Sequence, residues 1–154
     1  VPPTAVELLQ NQNVGELLDH DDVDLARMES AEDLLLFRSH VRKLLEERGS
    51  DEQCDDVITV VNEIVVNALV HAHGACSCRL TFYERAVLVE VQDTGPGMKS
   101  VSAPTQVEPS PRGDEYHESG RGLVLVAMLS LVWTFASTDY GSAVTALLPL
   151  GGGL

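Results

Sequence analysis

The stretch VNEIVVNALVH, Val61 to His71, decides how this chain is read. At helical spacing Glu63, Asn67 and His71 fall at i, i+4 and i+8 and project from nearly one face. Val60, Ile64, Val65 and Leu69 supply broad apolar contact around them. A buried helix therefore aims polar groups at one place. An asparagine carbonyl suits a hard divalent cation, and a carboxylate one turn away can take a proton from an attacking hydroxyl or water. Capping or solvation of a helix edge explains the same residues, so the helix alone leaves both readings open.

Two further stretches extend the argument. Val87, Val89 and Val91 alternate along a strand that runs into DTGPG, Asp93 to Gly97. The strand delivers a carboxylate to a loop in which Gly95 and Gly97 let the backbone approach a ligand closely. A fixed Asp can accept from an adenine N6 amino group, although an Asx-type turn also fits these five residues. SGRGL, Ser119 to Leu123, opens an apolar run to Val132 and reads as a loop entering a helix N-terminus. Free N–H groups and the helix dipole favour phosphate there, with Gly120 and Gly122 permitting close approach. A flexible hinge before a helix has the same composition.

In this order the segments resemble the N, G1 and G2 boxes of the GHKL ATPase superfamily. GSAVTALLP, Gly141 to Pro149, is similar to its terminal Gly-Ser/Thr box, with Ser142 at the hydroxyl position. Within the superfamily, NEIVVNALVHA most resembles the bacterial anti-sigma regulatory factors, which are serine/threonine protein kinases, over about Glu29 to Leu150. The resemblance implies an α+β fold, a two-layer α/β sandwich of Bergerat type with a mixed, mainly antiparallel sheet and helices on one face. It implies ATP and Mg²⁺ as cofactors. Asn67 would bind Mg²⁺ and Asp93 adenine N6; Gly95, Gly97, Gly120, Arg121, Gly122 and Ser142 would surround the nucleotide; and Glu63 would be the general base. Implied partners are a STAS-domain anti-anti-sigma protein, a sigma factor and, as in better-known members, a second copy of the chain.

Glu118 stands where some members carry an Arg just before Ser-Gly-x-Gly. Arg121 or Arg112 would then supply the cation for a terminal phosphate. The same boxes also serve an ATP-responsive binding module without catalysis, or the catalytic domain of a histidine kinase. Against the last, His40 in FRSHVRKLL lacks the context of a phospho-accepting His.

The chain has 154 residues, 44% of them hydrophobic, enough for one domain with a proper core. It has no apolar run of membrane-spanning length and no visible signal peptide, so a cytoplasmic location is expected, and the initial Val leaves a longer parent open. Ten basic against 24 acidic side chains give a net charge of −14, which argues against direct nucleic-acid binding. Acidic clusters at Asp19 to Asp24 and at Asp51, Glu52, Asp55 and Asp56 read as solvated faces or helix caps, with docking of a basic partner as the other reading. Cys54, Cys76 and Cys78 form no disulfide framework or zinc spacing, and His71, His73 and His117 no metal motif.

Residues 1–28 are expected as short helices, an arm or a linker, and 29–150 as the domain. Within it the pattern predicts a helix over Ser30 to Arg48 ended by Gly49, and a second from Ser50 to about His71. A hairpin follows, Ala75 to Tyr83 and Ala86 to Gln92, then a lid at about 98–119 and a helix from about Gly122 to Leu131. Two strands, Val132 to Ser137 and Ala143 to Leu150, and a flexible tail over 151–154 complete the chain.

Overall fold

A computed structural model of the chain describes residues 12–25, 30–71, 76–93, 124–138 and 141–152. Helix α1, Ala31–Leu45, starts where Ser30 Oγ accepts the Asp33 N–H at 3.1 Å. Acidic residues fill its first turn and Arg42 and Lys43 its last, both matching the helix dipole. Glu47, not Gly49, takes the left-handed turn beyond it, with φ 69°. Gly49 answers a different need: a Cβ there would lie 2.7 Å from Leu150 Cδ1.

Helix α2, Asp51–His71, opens with a reciprocal capping box. The Gln53 N–H donates to Ser50 Oγ and the Ser50 N–H to Gln53 Oε1, each at 3.1 Å. No glycine or proline interrupts the 21 residues that follow. Val57, Val60, Val61, Ile64 and Val65 are all buried, so the helix is held by packing along its length.

Five strands form the sheet: β1 Leu17–Asp24, β2 Cys76–Tyr83, β3 Ala86–Asp93, β4 Val132–Thr138 and β5 Gly141–Pro149, in the order β1-β2-β3-β5-β4. Every pairing among these strands is antiparallel. The two-residue turn Glu84-Arg85 sets the β2–β3 register, with Phe82 opposite Val87 and Cys76 opposite Asp93. Alternation places Cys78, Leu80, Phe82, Val87, Val89, Val91, Trp133, Phe135, Val144, Ala146 and Leu148 in one core with α1, α2 and Val126 of a helical segment over 124–129. The molecule is thus an α+β sandwich with helices on one face of an antiparallel sheet. Val14, Ala86, Leu88 and Leu147 make a smaller cluster.

Two expectations are corrected. Within 1–28, Leu17–Asp24 is a strand rather than a helix or free arm. Local propensity is overridden by pairing with β2 along its length, reinforced by Arg79–Asp22, Arg48–Asp19 and His40–Asp21 contacts. At the other end, Gly151 is clasped rather than loose: its N–H donates to Gln53 Oε1 and its carbonyl accepts from Gln53 Nε2, both at 3.1 Å. No helix among the described residues is long and apolar enough to cross a membrane.

Candidate functional site

The end of α2, the end of β3 and the start of β5 converge through chain connectivity and register. Asn67 lies one turn before the end of α2, and only four residues separate His71 from Cys76, where the chain enters β2. Cys76 is the register partner of Asp93, whose partner on the other side is Ser142. Asn67, Asp93 and Ser142 therefore share one end of the sandwich.

Asp93 continues the row Val87, Val89, Val91, so its side chain belongs to the helix-covered face of β3. It is 6% exposed, and Ser142 Oγ donates a short hydrogen bond to its Oδ2. Ser142 is itself 8% exposed and follows Gly141, whose φ of 152° is open to few residues other than glycine. A buried carboxylate is thereby fixed by a hydroxyl from the neighbouring strand.

Asn67 is 7% exposed and its Oδ1 has no hydrogen-bond partner among the described residues. Buried amide oxygens are costly when unpaired, and Asn67 bears that cost at the end of the sandwich where Asp93 stands. Glu63, one turn back, is only partly buried. An unsatisfied amide oxygen is the donor type that a hard divalent cation or its hydration water takes up. The described residues hold no cluster of three or more His, Cys, Asp or Glu side chains able to cage a metal. A cation here would draw its remaining ligands from elsewhere, as Mg²⁺ does from phosphates and water.

Gly95, Gly97, Gly120, Arg121 and Gly122, with Arg112, Glu118, His73, His117 and the lid over about 98–119, lie outside the described residues. Cys54 and Cys78 are buried thiols. Burial pushes the Cys54 thiol up, with Asp51 and Asp55 adding to it. Trp133 and Phe135 are core residues, as their alternation implies.

A row on the opposite sheet face was missed in the sequence: Asp22, Arg79 and Glu90, paired across β1, β2 and β3. The two-residue turn of the hairpin already implies that Arg79 faces Glu90. Asp22 was beyond reach, because its segment did not read as a strand.

The chain matches the model of the histidine kinase-like ATPase domain over residues 29–147 and belongs to that family. No curated protein matches it. The family implies ATP as the ligand.

Proposed function

We propose that this histidine kinase-like ATPase domain binds Mg-ATP where α2, β3 and β5 converge and is an anti-sigma-type serine/threonine protein kinase acting on a STAS-domain anti-anti-sigma protein. The observation that carries the nucleotide reading is the buried Oδ1 of Asn67, unpartnered among the described residues, at the same end as the Asp93–Ser142 pair. Mg²⁺ held by Asn67 would supply charge neutralisation on the phosphates. Asp93, oriented by Ser142, would accept from the adenine amino group. Glu63, partly exposed one turn from Asn67, would take the proton of the partner's hydroxyl. Gly95, Gly97, Gly120 and Gly122 would give the nucleotide room, and Arg121 a local cation. The kinase assignment rests on the likeness of NEIVVNALVHA to the anti-sigma factors, with a sigma factor as the protein ultimately released or held.

The test is calorimetric titration of Mg-ATP into the wild-type chain and into Asp93→Asn. Losing one hydrogen bond to a charged group should weaken binding about tenfold to a hundredfold. Unchanged affinity in the variant would remove Asp93 from the site. With binding in hand, transfer of labelled phosphate to purified STAS domains decides catalysis, and Glu63→Ala should stop transfer while leaving ATP affinity intact. Glu118, acidic where a cation is common, favours one second reading: a module whose partner affinity changes with nucleotide but which transfers nothing. ATP binding without transfer would select it. Acid-labile phosphate on a partner His would instead select the histidine-kinase reading.

A further inference from the structure

The face of the sheet opposite α1 and α2 carries an open concavity of about 210 Å³ lined by Asp22, Ser77, Arg79, Glu90 and Gln92, all polar. Asp22, Arg79 and Glu90 stand side by side in register across β1, β2 and β3, and Ser77 faces Gln92 in the neighbouring row. Arg79 has a carboxylate on either side, but its fork is committed to one of them. Its Nε donates to Asp22 Oδ1 at 2.6 Å and an NH2 to Oδ2 at 3.4 Å. Glu90 lies in the field of Arg79, yet among the described residues no hydrogen bond or ion pair reaches its carboxylate. The group is half-buried, and burial pushes its pKa up; Arg79 opposes the shift and Asp22 adds to it. A desolvated carboxylate whose internal cation is diverted elsewhere is completed by a cation from outside.

We propose that this concavity receives the guanidinium or ammonium group of a basic side chain on a protein partner that docks on this face of the sheet, with Glu90 as the carboxylate that meets it. Charge complementarity selects the occupant. The chain carries a net charge of −14, and Asp22 adds a second carboxylate to the concavity beside Glu90. A second copy brings the same charge and is repelled, whereas a basic segment is attracted. A small free cation would stay largely solvated in so open a hollow, while a protein covering the face secludes it.

The probe is a blocked tetra-arginine peptide, titrated into the full chain at physiological ionic strength, with binding followed by calorimetry and by the side-chain carboxyl resonances. Glu90→Gln should weaken binding about tenfold, while Glu32→Gln, an equal charge change on α1, should leave it nearly unaltered. The Glu90 resonance should be the one that moves most. Gln92→Lys places an ammonium in the concavity from within; it should raise Tm and block the peptide. Equal weakening in both Gln variants, or a shift spread over all carboxylates, reduces the effect to bulk charge and overturns the proposal. So does blocked single arginine binding as tightly as the peptide, which would mark a small-ligand site. A dimer that dissociates in Glu90→Gln overturns it in favour of a second copy.

Discussion

Asn67 and Asp93 are both buried polar residues, yet they stand in opposite energetic positions. Asp93 has a donor in Ser142 Oγ, while the Oδ1 of Asn67 has none among the described residues. Removing Ser142 should therefore hurt the fold: Ser142→Ala withdraws a hydrogen bond from a buried carboxylate, at about 1.5–3 kcal/mol, readable as a lower denaturant midpoint. Asn67→Leu should do the reverse. Leucine has the better helix propensity and leaves no unpaired amide, so Tm without nucleotide should rise while Mg-ATP binding disappears. A fall in Tm would instead make Asn67 a structural residue.

At the scale of elements, Gln53 joins the start of α2 to the end of β5. Its backbone N–H and side-chain oxygen complete the capping box with Ser50, and its amide closes on both backbone groups of Gly151. Gln53→Ala loses the side-chain half of the cap and the clasp together, so it should cost about 2 kcal/mol by chemical denaturation. Gly151 has no substitute at its end of the clasp. It sits at φ 99°, and a Cβ there would lie 2.5 Å from the carbonyl oxygen of Glu84. Gly151→Ala should therefore destabilise by more than about 1 kcal/mol without altering nucleotide affinity. Strand β1 is an edge of the sheet whose acidic side chains pair with Arg79, Arg48 and His40 while discouraging further strands of like charge.

For the molecule as a whole, charge makes stability depend on pH and salt. With −14 at neutral pH, the compact state repels itself, so added salt should raise Tm. Burial raises the folded pKa of Glu90 above its ordinary 4.5, so protonation favours the native state. Stability should therefore rise as pH falls from neutral toward that ordinary value, and Glu90→Gln should lose part of the rise. Asp22 acts in the opposite sense. The hydrogen bond from Arg79 lowers its folded pKa below 3.8, so its stabilising share is present above that value and fades as pH falls through the depressed one. Melting curves across this range, with and without Glu90→Gln, check both signs.

Local periodicity by itself determined α2 with Glu63 and Asn67 one turn apart, the alternation that ends β3 at Asp93, and the β2–β3 register through a two-residue turn. Each of these depends on residues within a few positions of one another, where spacing alone dictates direction. Tertiary structure alone decided that LLDHDDVD is an edge strand, because its acidic side chains are matched by Arg79 on β2, His40 on α1 and Arg48 beyond it. It alone showed that Asp93 is held by Ser142, 49 residues away, and that Arg79 directs its hydrogen bonds to Asp22 rather than to the Glu90 opposite it. Such pairings are choices between competing partners far apart in sequence, settled only when the sheet brings them into one row.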